Sequence, residues 1–264
     1  MMIGTTPQPA IYMGVFLLSV MLSAASNAGL IGYYTFEGNA NDVSGNGNNG
    51  VLSPAAPAVT ANGFQGSAYQ FGTGGANTFV TVPIDINPTV LPRVTFGAWV
   101  NADVNDEVIR GIISHDTGNF DRTLDVDTRG PTIGAVDWCM FLGPTSQGTC
   151  GGAVGVDTWT FLVARYDANL NIARFTVNGT NFGDFVANPG EGETVTTIGR
   201  NPNFDFPFVG RIDNVFFYDD FLSDEQVNDI FRNGVKVPEP LTPALIALGL
   251  AGLVYQRRKK IITG

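Results

Sequence analysis

The stretch Val94-Thr95-Phe96-Gly97-Ala98-Trp99-Val100 has the pattern of a β-strand. Successive side chains of a strand point to opposite faces, so the first, third, fifth and seventh residues of this stretch share one face. All four are apolar. A strand with one wholly apolar face needs a second layer to cover it, and the stretch therefore predicts a layered β fold.

Similar short segments occur throughout residues 29–235, separated by turn residues at fairly regular spacing. Abundant Phe and Val with frequent Gly are typical of an antiparallel sandwich or barrel. Residues 159–166 and 172–177 form a predicted hairpin, with a turn rich in Asp and Asn at 167–171. Further strands are predicted at 30–36, 68–71, 78–82, 110–114, 123–127, 138–142, 194–198 and 209–218. We expect one all-β domain.

One short helix is predicted near the end of this domain. The Ser223 hydroxyl can accept a hydrogen bond from the amide of Gln226, whose side chain can reach back, as in a capping box. Val227, Ile230 and Phe231 then fall on one face at helical spacing. The helix is expected to pack on the sandwich.

The N-terminus predicts a secretory signal peptide over residues 1–28. An apolar run at 11–22 is followed by Ser26-Asn27-Ala28, a small-x-Ala pattern, so cleavage is expected after Ala28. No Lys or Arg precedes the run, and a buried N-terminal helix is the alternative. A signal peptide implies export.

The C-terminus, residues 236–264, predicts a membrane-sorting tail. As a helix, its apolar segment 241–255 would be about 22 Å long, which is short of the hydrocarbon core of a bilayer, about 30 Å thick. The segment is therefore a marginal membrane span. Cations beyond that segment would stay cytoplasmic, which places the preceding domain on the outer face of the inner membrane. The segment is preceded by Pro238, Glu239 and Pro240 and followed by Arg257, Arg258, Lys259 and Lys260.

Charge excludes one class of partner. Residues 29–235 carry nine arginines, no lysine and twenty-three acidic residues. Such a domain has no electrostatic attraction for a phosphate backbone, so we expect no nucleic-acid partner. Divalent cations and neutral ligands suit this surface better.

The two cysteines, Cys139 and Cys150, are the only ones in the chain. Oxidising export compartments favour a disulfide, and the Gly-Pro-Thr-Ser-Gln-Gly sequence between them can turn back on itself. A cysteine nucleophile is the alternative, but the single histidine, His115, is the one imidazole that could activate it. We predict a structural disulfide.

Four segments in this order resemble the laminin-G-like, concanavalin A-like lectin/glucanase superfamily. Residues 32–50, GYYTFEGNANDVSGNGNNG, match its opening motif, and 94–100 resemble its tryptophan-containing strand. Residues 159–179 resemble its hairpin ending in Asn-Gly, and 210–227 its closing strand and helix. The resemblance implies an antiparallel two-sheet jelly-roll sandwich with one short helix, between a signal helix and a C-terminal membrane helix.

The tail resembles the PEP-CTERM sorting signal. Pro-Glu-Pro, a short apolar helix and a terminal basic cluster occur in that order at the extreme C-terminus. The resemblance implies processing by a membrane exosortase in a Gram-negative bacterium that makes extracellular polysaccharide. A plain C-terminal anchor is the alternative, and it also leaves the domain outside the cytoplasm.

The family resemblance also implies a structural calcium site that joins the first strand to the last. Calcium takes six to eight oxygen ligands from carboxylates, amides and main-chain carbonyls. Glu37 or Asp42 near the start and Asp213 near the end would supply carboxylates, with Asn39 as an accessory. In the alternative interpretation, Asp42 caps a turn and Asp213 pairs with an arginine.

Aromatic and polar residues alternate in the segment 201–208, which predicts a sugar-binding loop. Exposed aromatic rings stack on sugar rings, while Asn and Asp bond the hydroxyl groups. Alternatively, these phenylalanines belong to the core or rim of the sandwich. The predicted ligand-binding residues are Asn201, Asn203, Phe204, Asp205 and Phe206.

Catalysis is not expected. Glucanases of this fold use an E-x-D-x-x-E run that supplies a nucleophile and a general acid, and the sequence has no such run. The nearest alternation, Asp125-Val126-Asp127, lacks glutamate and is expected on a solvated face or in an edge strand. A Ser/His/Asp site would depend on His115 in every case.

Three functions therefore remain open. The first is a non-catalytic binding or adhesion module for envelope or extracellular polysaccharide. The second is a structural protein of the biofilm matrix without a small ligand. The third, a divergent glycosidase, has the least support because the catalytic run is missing.

Overall fold

The computed structural model describes residues 28–238, which form two β-sheets packed face to face and one α-helix. The α-helix, α1, spans Asp224–Asn233. The sixteen strands are β1 (Leu30–Tyr34), β2 (Val51–Leu52), β3 (Ala58–Thr60), β4 (Ala68–Phe71), β5 (Val80–Val82), β6 (Arg93–Ala102), β7 (Arg110–Ser114), β8 (Thr123–Asp127), β9 (Asp137–Gly143), β10 (Gln147–Ala153), β11 (Thr160–Asp167), β12 (Ile172–Val177), β13 (Thr180–Val186), β14 (Thr196–Ile198), β15 (Phe206–Pro207) and β16 (Gly210–Tyr218).

Each sheet contains eight strands. Sheet I has the order β13-β12-β11-β6-β16-β4-β3, with β1 pairing the later part of β16. Sheet II has the order β10-β9-β8-β7-β14-β5-β2. Pairing is antiparallel except for the two-residue strand β15, which runs parallel to β7. The expectation of an antiparallel two-sheet sandwich is confirmed.

The main core lies between the two sheets. Strand β6 is central in sheet I, between β11 and β16, and its residues Phe96, Ala98 and Val100 are fully buried in this core. From sheet II, Trp138 and Met140 pack into the same cluster. The apolar face predicted from residues 94–100 is thus the inner face of sheet I.

A second apolar cluster covers the outer face of sheet I. Trp99 and Phe161 belong to it, and α1 lies over it with Val227 and Ile230 buried. The ring of Phe64 stacks on Trp99 with centroids 3.5 Å apart. Because both of its faces are covered, β6 is buried at almost every position instead of on alternate positions.

The capping box of α1 is present as predicted. The amide of Gln226 donates to the Ser223 hydroxyl at 3.3 Å, and the Ser223 amide donates to Gln226 Oε1 at 2.8 Å. Asp224 in the first turn accepts from both Arg165 and Arg174 at 2.7 Å. These contacts attach the start of the helix to sheet I.

The predicted disulfide joins Cys139 to Cys150. The two cysteines face each other across the β9–β10 pair, and the turn between them closes this hairpin. Strand β10 was not predicted, because its glycines give it no apolar face; it lies at the edge of sheet II.

One prediction about a strand is wrong. Strand β8 lies inside sheet II between β7 and β9, and Asp125 and Asp127 are buried, so they occupy neither an edge strand nor a solvated face. Their neighbours Leu124 and Val126 fill the main core. The two carboxyl groups therefore lie on the outer face of sheet II, beneath the loops that cover it.

Both predicted terminal helices, in residues 1–28 and 241–255, fall outside the described residues except for Ala28. Within 28–238, no helix has the length and hydrophobicity required to cross a membrane.

Candidate functional site

The loop that follows β14 crosses the outer face of sheet II. It ends in β15, whose Phe206 pairs with Arg110 of β7. The backbone of Asn201 lies against Gly111, where any side chain would collide with it. A glycine in β7 thus lets this loop lie directly on the sheet.

Asn201 holds the loop to the next one. Its side chain is fully buried, and its amide nitrogen donates to Asp116 Oδ2 and to Asp205 Oδ2, each at 3.0 Å. Asn203 adds bonds to the Asp116 carbonyl at 3.4 Å and to Glu193 Oε1 at 3.1 Å. The two asparagines therefore position the loop, with Asn201 too enclosed to contact a ligand.

Between these loops the surface forms a cavity of about 300 Å³, here called the Phe204 cavity. Phe204 is 47% exposed and its ring lies close to Gly118. The rings of Phe120 and Phe141 meet edge to face, with centroids 5.3 Å apart. The lining residues are Ile109, Asp116, Gly118, Phe120, Arg129, Phe141, Phe204 and Asp205.

Arg129 forms the polar wall of the cavity. Its guanidinium lies 5.0 Å from the centroid of Phe120 and 5.3 Å from that of Phe141. Its Nε donates to both carboxylate oxygens of Asp127, at 2.9 and 2.8 Å. These hydrogen bonds from Arg129 to Asp127 raise the pKa of the guanidinium. The ion pair fixes the guanidinium against the two aromatic rings.

Arg129 also separates the Phe204 cavity from a second one of about 440 Å³ along the same face. This second cavity is lined by Asp127, Arg129, Gly130, Pro131, Cys139, Ser146, Gln147, Gly148, Thr149 and Cys150. The outer face of sheet II thus offers two adjoining concave sites.

Asp125 lies beneath these loops and is fully buried. Neither of its carboxylate oxygens has a hydrogen-bond partner among the described residues. Burial raises the pKa of this carboxyl well above its usual range, and the charges of Asp127 and Asp205 raise it further. Across the sheet it is flanked by Gly111 and Cys139, neither of which offers a cation.

The predicted ligand-binding residues divide into three groups. Phe204 and Asp205 line the cavity, and Asn201 and Asn203 support it. Phe206 is 62% exposed but points away, with the guanidinium of Arg110 5.9 Å from its ring centroid.

Sequence reasoning missed the residues that adjoining segments contribute to the cavity. Asp116, Phe120 and Arg129 lie in loops, where no pattern indicated a shared site. Phe141 carried a detectable signal, because it is an aromatic residue on the opposite strand face from the core residues Met140 and Leu142.

The predicted calcium residues fall into two places. Asp42 caps a turn: its oxygens accept from the amides of Tyr33, Ser44 and Asn48 at 2.9 to 3.0 Å. Burial acts to raise the pKa of Asp42, but these hydrogen bonds outweigh it and lower the pKa. Asn39 lies in the same segment and accepts from the Asn41 amide at 2.8 Å.

Glu37 and Asp213 instead hold one loop from two sides. Glu37 accepts from the Ser67 amide at 3.0 Å, and Asp213 Oδ2 accepts from the Gln65 amide at 3.0 Å. Oδ1 of Asp213 is buried and has no partner among the described residues. Burial raises the pKa of Asp213 to about 7, and the negative charge of Glu37 raises it further. Backbone hydrogen bonds, the first of them from Gln65, act to lower this pKa.

An orphaned carboxylate oxygen beside a second carboxylate fits a calcium ion. Side chains alone do not complete the coordination: within 28–238, no three His, Cys, Asp or Glu side chains cluster closely enough to hold a metal. Main-chain carbonyls of the loop would have to supply most of the six to eight oxygens that calcium requires.

Two known protein-family models match the chain. The model of the concanavalin A-like lectin/glucanases superfamily matches residues 57–228, more than half of the chain. The chain belongs to this superfamily. A second model, the PEP-CTERM protein-sorting motif, matches residues 236–259. No curated protein matches the chain.

Solved structures with the same fold include domains of an enzyme and of toxins. One is domain 4 of AbnA, a GH43 extracellular arabinanase from Geobacillus stearothermophilus, which is 20% identical to this chain with a TM-score of 0.54. The match covers 77% of this chain and 98% of that domain. The botulinum neurotoxin serotype D binding domain is 13% identical with a TM-score of 0.55, covering 77% of this chain and 51% of that one. A botulinum neurotoxin type C structure is 12% identical, has a TM-score of 0.55 and covers 79% and 52%.

The chain thus spans about half the length of the toxin chains it matches. At these identities the likeness shows the fold alone, because the same sandwich supports many functions.

Proposed function

We propose that this chain is an exported, non-catalytic surface or matrix protein that binds extracellular polysaccharide through the Phe204 cavity. The observation that carries the proposal is the exposed Phe204 ring beside the Asp205 carboxylate in a concave site of about 300 Å³. An aromatic face with polar groups beside it suits a sugar ring, which has apolar C–H faces and a rim of hydroxyl groups.

Two structural relatives support this choice of ligand. The arabinanase domain was solved in complex with arabinotriose, and cell entry of botulinum neurotoxin type C depends on two ganglioside molecules. Both ligands carry sugars, and both proteins share this fold. The match covers 98% of the arabinanase domain but only 52% of the toxin chain, so the arabinanase domain is the stronger support.

The test compares two phenylalanines of one loop. Phe204→Ala should weaken binding of the purified protein to its polysaccharide by about fivefold, since a stacked aromatic contact contributes on the order of 1 kcal/mol. Phe206→Ala is the matched control, because Phe206 is exposed outside the cavity. Glycan arrays and polysaccharide pull-downs measure both.

Three results would contradict the proposal. If both variants bind like the wild type, the site lies elsewhere. If the purified protein binds no glycan, while deletion of its gene alters matrix or aggregation, a purely structural matrix role is correct instead. Hydrolysis of a laminarin or agarose panel would indicate a divergent glycosidase.

Sorting forms the second part of the proposal. An exosortase recognises the tail while it is held in the inner membrane and cleaves near Pro238, Glu239 and Pro240, so that the domain reaches the cell surface or matrix. The match to the PEP-CTERM motif supports this route. Glu239→Ala should accumulate the longer, unprocessed form in the membrane fraction, and an unprocessed wild type would refute it.

A structural calcium ion at Glu37 and Asp213 is the third part. It would join β1 to β16 through the loop at 63–67. Calcium should raise the melting temperature of the wild type but not of Asp213→Asn, because an ion that binds only the native state stabilises it. An equal response of both proteins, or none, would exclude this site.

A further inference from the structure

Carboxyl groups outnumber cationic groups in and beneath the Phe204 cavity. Asp116, Asp125, Asp127 and Asp205 lie around or under it, whereas Arg129 is its one cationic lining residue among those described. The guanidinium of Arg129 is already bonded to Asp127.

Two of these carboxyl groups have no cationic partner within residues 28–238. Asp205 forms no ion pair, and its one side-chain bond is to the Asn201 amide at 3.0 Å. Asp125 is fully buried and both of its oxygens are unpartnered. A buried carboxylate without a partner is costly, and a positive charge placed above it would offset that cost.

We propose that this cavity selects glycans that carry free amino groups, namely amino sugars without N-acetyl groups, over neutral and uronate chains. The inference rests on the proposed function and names the ligand class of the same site. A protonated amine has three N–H donors, which can reach the exposed Asp205 carboxylate while the sugar ring lies on Phe204.

Asp125 would contribute through the field and not by contact, because it is enclosed. Charges interact strongly across a region of low dielectric constant, so an ammonium group at Asp205 would favour the ionised form of Asp125 below it. The carboxylate of a uronic acid in the same place would be repelled by these carboxylates.

A metal ion is the other source of positive charge, and it fits less well. Calcium needs six to eight oxygens, and the described residues include no three acidic, His or Cys side chains gathered closely enough to hold a metal. An ammonium group needs only about three acceptors. Asp205 can supply one or two of them, and oxygen atoms of the sugar itself can supply the rest.

The experiment measures three oligosaccharides by calorimetry, at about pH 6 and with EDTA present. They are a glucosamine hexamer, its fully N-acetylated counterpart and an alginate oligomer. We expect the wild type to bind the glucosamine hexamer at least tenfold more tightly than the acetylated one, and the alginate oligomer not at all. Asp205→Asn should reduce that preference to less than threefold, and added salt should weaken it.

Asp157→Asn is the control for net charge, because Asp157 is exposed and pairs with Arg211 outside the cavity. It should leave the preference unchanged. Melting curves of both variants check folding, and Asp125→Asn, which keeps the side-chain shape, should also lower the preference.

The outcomes separate the two proposals. Equal binding of both hexamers, sensitive to Phe204→Ala, would overturn the amino-sugar inference and leave the proposed function standing. Binding of none of the three oligosaccharides would overturn the inference, and it would overturn the proposed function as well only if the glycan array also shows no binding. In a separate titration without EDTA, calcium alone binding the wild type but not Asp125→Asn would replace the amine by a metal ion, which also overturns the inference.

Discussion

Asn201 illustrates why one residue type is required beneath the candidate site. Its amide donates to two carboxylates at once, Asp116 and Asp205, at 3.0 Å each. Aspartate at this position would add a third acceptor in a buried place, and alanine would remove the one donor to the Asp205 side chain and the donor to Asp116 Oδ2. Only a side chain with two N–H donors on one nitrogen connects both loops.

Asp213 should make the stability of the protein depend on pH. Its folded-state pKa is about 7, above the ordinary value of 3.8, so the native state binds its proton more tightly than the unfolded state does. This stability is present in full below about pH 4, is lost as the pH rises towards 7, and is of the order of 4 kcal/mol at most.

The measurement is urea unfolding between about pH 4 and pH 8 with chelator present. The free energy of unfolding of the wild type should fall over this window relative to that of Asp213→Asn, whose side chain does not titrate. Parallel curves for the two proteins would contradict the assignment. Calcium should restore stability to the wild type near pH 7, because the ion favours the ionised carboxylate.

At the level of the element, the β9–β10 hairpin forms one wall of the second cavity. Strand β10 is at the edge of sheet II and pairs with β9 alone, and its own side chains contribute little apolar burial. The disulfide between the two strands therefore stabilises this hairpin, as apolar packing stabilises the central strands.

Replacing both Cys139 and Cys150 by serine should lower the free energy of unfolding by about 3 kcal/mol, as expected for closing a loop of this length in the unfolded chain. The urea midpoint measures the change. Wild type treated with a phosphine reductant is the matched control and should lose a similar amount. A loss below about 0.5 kcal/mol in both would show that the hairpin is held by its other contacts.

At the level of the whole molecule, the candidate site and the two ends of the described range, Ala28 and Pro238, lie on opposite faces of the sandwich. The Phe204 cavity is on the outer face of sheet II. Ala28 and Pro238 line one concave site beside α1, which covers the outer face of sheet I. A domain attached through residues after 238 thus presents its cavity away from the point of attachment.

Removal of residues 239–264 should leave both folding and sugar affinity unchanged. The melting temperature should shift by less than about 2 °C, because residues 28–238 contain both apolar clusters. Affinity for the polysaccharide should remain within about twofold of the full-length protein in detergent. A larger loss of affinity would mean that the tail contributes to the site.

Much of the fold could be predicted from local sequence. Alternation identified the central strands, and the capping box at Ser223 identified the helix, because both patterns follow from the geometry of a single element. The edge strands β10 and β13 were missed, since Gly-rich and polar strands show no alternation and form by pairing with a neighbour.

The candidate site was predicted only in part. Local sequence was enough for the fold class, the disulfide and a loop containing Phe204 and Asp205, because turns, alternation and cysteine spacing act over short distances. Contacts between distant segments set two features of the site: Phe204 lines a cavity and Phe206 does not, and Asp125 is buried beneath that cavity. Both features depend on which loops meet across sheet II, and such contacts join residues far apart in the chain.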